Sequence, residues 1–307
     1  MRQQELTRME WPLLSPGPAR GPRGMSRVLV ATDFSLRAEL ALARALRLPL
    51  GQGALFTVLH VGAPLEGPPG GAVAGERCLR KATTAVCRRL RQRPDVTVRE
   101  DLRRGDVVDV VVAAAREQSM ELVVLGRPHV TYPVRELSAS SHVRRLVRGL
   151  GSSVLVVVPH PVRPYARPLV AVDFSRESRR ALELMLRMCP GTPVDVLHVV
   201  DTREEDALRL SGAPVERWLL ARQGREDAAR VALGRFLAPY RETGRVLEAR
   251  LRGGEPGEGI VAEMSERGSD LVVLGQASGP GISGVVERVL AHASCDVLVS
   301  RHPAAVA

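Results

Sequence analysis

Apolar and polar positions alternate along this chain in blocks, and the blocks come round twice. Arg27–Thr32 (R-V-L-V-A-T) is a run of buried-type residues, and Leu36–Leu46 follows with Ala and Leu at helical spacing. Leu55–Val61 (L-F-T-V-L-H-V) predicts a second strand. Gly62–Gly75 is rich in Gly and Pro and predicts a loop, and Glu76–Arg91 predicts a long basic helix. Asp95–Leu102 alternates as an edge-like strand does. Asp106–Gln118 predicts a helix, and Glu121–Leu125 a strand ending at Gly126. A polar loop to Ser141 leads into a short helix at His142–Leu150, and Ser153–Val158 closes the unit. Pro159–Pro168 contains four prolines and reads as a linker.

The same order then returns. Leu169–Val172 is strand-like, Glu177–Met188 helical and Val194–Val200 (V-D-V-L-H-V-V) strand-like. A longer helical stretch covers about Pro214–Tyr240. Val246–Leu251, Gly257–Arg267 and Asp270–Leu274 alternate strand, helix and strand, the last ending at Gly275. Val285–His292 predicts a helix and Asp296–Ser300 the final strand. Strands alternating with helices imply right-handed βαβ crossovers and a parallel sheet. The Val/Leu/Ile-rich strands suit a sheet covered on both faces. The repeat offset is 140 at Asp33/Asp173, 149 at Gly126/Gly275 and 143 at Val154/Val297, so the second copy gains residues in its middle and then loses some after Gly275.

Composition changes this picture little. At 307 residues the chain has room for two domains, each with its own core. The expected division is a flexible tail at 1–26, domains at 27–160 and 167–303, and a linker at 161–166. The net charge of +10 resembles a nucleic-acid signal, but the charge is nearly all Arg, aromatics are 3%, and no dense Arg block has interleaved aromatics. A solvated basic surface is the plainer reading, and nucleic acid is not the expected partner. Cys78, Cys87, Cys189 and Cys295 lack metal-ligand spacing, which favours a reducing compartment; Cys78 and Cys87 are expected to be small buried hydrophobes. The first residues lack an apolar signal segment, and no stretch approaches the ~20 apolar residues that span a bilayer. The expected location is the cytoplasm, with Met25 an alternative start.

Candidate chemistry lies where strands end, because ligands of open α/β sheets bind at strand carboxyl ends. Asp33 and Asp173 each sit in D-F-S between a strand and a helix. A carboxylate there can cap the helix, accept from a nucleotide's sugar hydroxyl or base amine, or do both. Gly126 and Gly275 follow the same L-V-V-L. In copy two, Gly279, Gly281 and Gly284 form a loop whose amides can cradle phosphates; in copy one, His129, Tyr132 and Pro133 replace glycines, and Ser140 or Ser141 can cap the next helix. His60 and His198 read as packing or hydrogen-bonding residues. No G-x-x-x-x-G-K-[ST], G-x-S-x-G or H-E-x-x-H occurs, which excludes P-loop, serine-elbow and zincin chemistry, and no G-x-G-x-x-G follows either first strand, which argues against a nicotinamide dehydrogenase.

Taken together, V-A-T-D-F-S and V-A-V-D-F-S, the two L-H-V runs, G-D-V-V-D and G-E-P-G-E, E-L-V-V-L-G and D-L-V-V-L-G, and V-E-R-V-L-A-H-A-S-C-D-V-L-V-S at Val286–Ser300 resemble the universal stress protein family in its tandem form. The resemblance covers nearly all of Arg27–Pro303. It implies two Rossmann/flavodoxin-like α/β domains, each a five-stranded parallel sheet flanked by helices, paired within one chain as single-domain members pair into homodimers; a homodimer of the whole chain is a further expectation. It also implies ATP or another adenine nucleotide in at least one domain. The residues to hold it are Thr32, Asp33, Val61, Gly126, Ser140 and Ser141 in copy one, and Asp173, Val199, Gly275, Gly279, Gly281 and Gly284 in copy two. Both copies depart from the family's phosphate-loop pattern: copy one has His129 and Ser140 at glycine positions, and copy two has a shortened loop without a clean Gly-Ser ending. The expected function is a regulatory or protective binding protein of the stress response. The competing expectation is a nucleotide-free scaffold that meets a protein or polyanion through its paired domains and basic surface. No metal cluster and no dedicated general base beyond Asp33 and Asp173 are visible, so an enzyme is not the expected class and slow ATP hydrolysis ranks last.

Overall fold

The computed structural model describes residues 24–62, 70–127, 139–212, 214–277 and 281–301, the side chains at 70–73 and 139–141 excepted. The first unit is β1 (Met25–Thr32), α1 (Leu36–Ala45), β2 (Leu50–Gly62), α2 (Gly70–Arg89), β3 (Thr97–Arg104), α3 (Val107–Glu117), β4 (Leu122–Gly126), α4 (Ala139–Gly149) and β5 (Ser153–Val157). The second is β6 (Pro168–Ala171), α5 (Arg176–Met188), β7 (Val194–Asp201), α6 (Arg203–Leu210), α7 (Val215–Leu237), a 3-10 turn at Ala238–Thr243, β8 (Leu247–Gly254), α8 (Pro256–Arg267), β9 (Leu271–Gly275), α9 (Gly284–His292) and β10 (Asp296–Ser300).

Each unit is a five-stranded parallel sheet, in the order β3-β2-β1-β4-β5 and its repeat β8-β7-β6-β9-β10. The inner strands are predominantly apolar because helices cover both faces, so one core cluster lies on each side of the sheet, whereas the edge strands β3 and β8 carry charged residues. The order reverses between β1 and β4, and between β6 and β9. Those are the two topological switch points, where the crevice at the strand carboxyl ends opens. The units then join edge to edge. β5 pairs antiparallel with β10, Val156 opposite Val297 and Val154 opposite Val299, giving one ten-stranded sheet. The two sets of strand carboxyl ends therefore point in opposite directions.

A buried polar cluster sits at this seam. Asp296, fully buried at the start of β10, accepts from the Val158 amide at 2.9 Å and the Tyr165 hydroxyl at 2.7 Å, and pairs with Arg44 Nε at 2.9 Å. The Arg44 guanidinium lies 4.0 Å over the Tyr165 ring and donates to the Arg163 carbonyl at 2.5 Å. One helix of the first unit, the connecting segment and the last strand of the second unit thus share one ion pair. Burial, with Asp296 beside it, raises the Tyr165 phenol well above its ordinary value, so Tyr165 remains a donor.

Several elements differ from the pattern reading. β2 starts at Leu50 rather than Leu55, because Met25 pairs with Leu50 across a β-bulge that the polar G-Q-G segment hides. α6 has no counterpart in the periodicity. Its sequence R-E-E-D-A-L-R-L lacks an apolar stripe, and ionic contacts hold it: Arg225 pairs with Glu204 and, at 2.7 Å, with buried Glu205. Cys78 and Cys87 are exposed, contrary to expectation; the inward face of α2 is Leu79, Thr83 and Val86. Cys189 and Cys295 are buried, which pushes both thiols up to about 12.

Candidate functional site

At each switch point the first strand runs into a D-F-S turn of the same construction. In the first unit the Thr32 hydroxyl accepts from the Phe34 amide and the Asp33 carboxylate from the Ser35 amide, both at 3.0 Å. In the second unit Asp173 accepts from the Ser175 amide at 3.0 Å and from the Ser175 hydroxyl at 2.5 Å. The helix caps are Ser35 and Ser175, which accept from the Ala38 and Ser178 amides, and not the aspartates. The cap is therefore filled, and Asp33 and Asp173 both remain exposed. Phe34 and Phe174 have φ of 62° and 65°, a left-handed conformation that costs non-glycine residues roughly 1–2 kcal/mol.

The strand-two histidines hold that strained turn. The rings of His60 and Phe34 lie 4.3 Å apart, and those of His198 and Phe174 4.2 Å apart. His60 Nδ1 meets the Thr32 carbonyl and His198 Nδ1 the Val172 carbonyl, each at 2.8 Å. A carbonyl only accepts, so Nδ1 carries the proton in both rings. Burial lowers the His198 pKa, partly offset by the Val172 carbonyl and the Asp173 charge. Burial works to raise Asp173, and the Ser175 hydroxyl and amide with Ser178 outweigh it, leaving that carboxyl below its ordinary value and charged.

Across each crevice stands the glycine that ends β4 or β9. A Cβ on Gly126 would lie 2.7 Å from the Arg37 carbonyl oxygen, and one on Gly275 would lie 2.5 Å from the Glu177 carbonyl carbon. Both positions need glycine because the first turn of α1 or α5 crosses the strand end backbone to backbone. This brings the D-F-S turn and the start of the following loop together.

Beyond that point the two units diverge. In the second, Gln276 Oε1 accepts from the Ser283 amide at 3.0 Å, and Ser283 Oγ caps α9 by accepting from the Val286 amide at 3.2 Å. Gln276 thereby ties the N-terminus of α9 to Gly275 and the α5 turn. The amides of Gly284 and Val285, in the first turn of α9, have no acceptor among the described residues, and Gly284 is exposed. Such amides suit an anion. In the first unit the residue after the glycine is Arg127, and its guanidinium is already engaged. It donates to the Ala293 carbonyl at 2.5 Å and the Ala291 carbonyl at 2.9 Å, at the C-terminal end of α9 in the other unit.

Thr32, Asp33 and Gly126 thus gather at one switch point, and Asp173, Gly275 and Gly284 at the other. Val61 is half-buried and packs into the core, and Val199 is buried, its Cγ1 2.8 Å from where a Cβ on Gly259 would lie. Gly281 has φ 138° in the loop before α9. Ser140 and Ser141 belong to the first turn of α4. Gly279, like His129, Tyr132 and Pro133, lies outside the described residues. The sequence reading passed over Gln276 and Ser283; the signal was the S-G immediately before an apolar helix. Among the described residues no group of three or more His, Cys, Asp or Glu could hold a metal ion, and no helix is long and apolar enough to cross a membrane.

The sheet order, the switch points and the filled turns define a doubly wound, Rossmann-like α/β protein with two such units in one chain. The sequence model of the universal stress protein family matches residues 25–158 and again 164–301. The chain belongs to the universal stress protein family. Similar solved structures include a universal stress protein from Archaeoglobus fulgidus, at 16% identity and TM-score 0.61, covering 90% of this chain and 96% of that one. Another is a functionally unknown protein from Pseudomonas aeruginosa PAO1, at 15% identity and TM-score 0.56, covering 91% and 93%. At these identities the likeness shows the fold. No curated protein matches the chain.

Proposed function

We propose that this chain is a cytoplasmic binding protein of the stress response that takes ATP or another adenine nucleotide at the β6/β9 switch point. The observation that carries the reading is the juxtaposition there of two unlike groups. Asp173 offers an exposed, charged acceptor for a sugar hydroxyl or base amine, and the first turn of α9 offers open amides for phosphate oxygens. Gly275 and Gln276 connect the two. Asp33 and Gly126 supply the corresponding turn in the first unit. There the Arg127 guanidinium is committed to α9, so the second unit is the stronger site.

Calorimetric titration with ATP tests this. Binding to the wild type is expected, and Asp173→Ala should weaken it roughly ten- to a hundredfold through the loss of one charged acceptor. Asp33→Ala should change the affinity of this site less than twofold. Absence of both ATP binding and ATP-induced thermal stabilisation at millimolar ligand would refute the reading.

A further inference from the structure

We infer that the exposed face of α2 is a docking surface for the phosphate backbone of duplex nucleic acid, bound without sequence selection. This inference stands apart from the nucleotide site and does not depend on it. Between Arg77 and Arg91 the chain has six cationic residues and no acidic one. At 3.6 residues per turn, Arg77, Lys81 and Arg88 fall within about 40° of one line along the helix, over about 16 Å of its length. Arg89 and Arg91 extend the array at its C-terminal end. All five are exposed. Arg80 is paired with Glu76, but those five have no ion pair among the described residues.

The repeat supplies an internal comparison. α7 occupies the corresponding place in the second unit, and there three of the five arginines are matched, Arg222 with Glu226, Arg230 with Asp227, and Arg225 with Glu204 and Glu205, while Arg217 and Arg235 have no ion pair among the described residues. A generally arginine-rich composition would load both helices alike, yet between Arg77 and Arg91 only Arg80 of six cations is paired, against three of five in α7.

The chemistry of the face selects the partner. No large apolar side chain is exposed between Arg77 and Arg91, so the face lacks the buried anchors that carry protein–protein interfaces and the apolar edge that seats a helix in a bilayer. It also carries no aromatic ring on which a single strand could stack. What remains is a polar, strongly positive, arginine-dominated surface, the character of a duplex-backbone contact. Nucleic acid is not expected from the sequence because no dense Arg block has interleaved aromatics; the helix gathers such a block, still without aromatics, from residues spaced along the chain.

Fluorescence anisotropy with a labelled mixed-sequence DNA duplex is the test, run from 50 to 200 mM salt. Engaging four or five phosphates predicts a slope of log K against log salt of about −4, a loss of roughly 250-fold over that range. The full-length variant Arg77→Gln/Lys81→Gln/Arg88→Gln/Arg89→Gln/Arg91→Gln should bind at least about a hundredfold more weakly at 50 mM, with a slope near −1. Circular dichroism should show it folded, since all five side chains are exposed. Arg217→Gln/Arg235→Gln, on exposed positions of α7, should bind as the wild type does. Equal duplex binding by the wild type and the five-site variant would overturn the inference. So would no duplex binding at 50 mM, or variant-sensitive binding seen only with anionic phosphatidylglycerol vesicles or polyglutamate.

Discussion

His198 shows how one side chain can make the switch point answer to pH. Burial lowers its pKa from the ordinary 6.5, and its Nδ1 proton is committed to the Val172 carbonyl beside the strained Phe174. The unfolded chain takes up a proton at the ordinary value, whereas the folded chain resists until a lower pH. The resulting stability is complete above the ordinary value and is lost as pH falls through the lowered one. The midpoint of thermal unfolding should therefore drop between about pH 7 and pH 5 in the wild type, and drop less in His198→Gln. Parallel curves for the two proteins would refute this. The hydrogen-bonding role of the histidine was legible in L-H-V, since a lone His with no partner at ligand spacing has little else to do. The role of the aspartates was only half legible. D-F-S contains two residues able to cap a helix, and the left-handed phenylalanine between them gives the cap to the serine.

At the scale of elements, the crossing of α5 over the end of β9 is the tightest construction in the site. Gly275→Ala would put a methyl 2.5 Å from the Glu177 backbone, where nothing can rotate away. Overpacking of that kind should cost about 1–3 kcal/mol and lower the unfolding midpoint. Gly224→Ala, in α7 with open space around it, should instead leave stability unchanged or raise it by up to about 1 kcal/mol. Equal effects at the two glycines, measured by urea denaturation, would contradict the account. Elements with an apolar stripe or a continuous apolar run were readable from pattern, which includes the strands β4, β9 and β10 and the helices α3 and α5. α6 was not, because charge pairing rather than burial holds it. The exposure of Cys78 and Cys87 was missed because the phase of α2 was not used; Leu79 and Val86 define the inward face and leave both cysteines off it.

For the whole molecule, the repeat announced two sheets but not how they would meet. The β5–β10 edge pairing was not visible, although one signal stood in the sequence: Asp296 inside an otherwise apolar terminal strand. A buried carboxylate in such a place requires a partner, and Arg44 lies 252 positions earlier in the chain. Asp296→Ala leaves the Arg44 guanidinium buried without its counter-ion and should cost about 3–5 kcal/mol. Tyr165→Phe removes one donor and should cost about 1 kcal/mol. Urea denaturation measures both, and a loss below about 1 kcal/mol for Asp296→Ala would show that the seam does not depend on the pair.

The antiparallel seam has a further consequence for what the particle can display. Two separate identical chains joined edge to edge would show every surface twice, and any change in one crevice would be copied into the other. Here the halves are linked, so Gln276 can stand in one crevice while Arg127 stands in the other, and the cationic face of α2 occurs once against an α7 whose arginines are mostly ion-paired. The pair repeats its strand order and is singular in its chemistry.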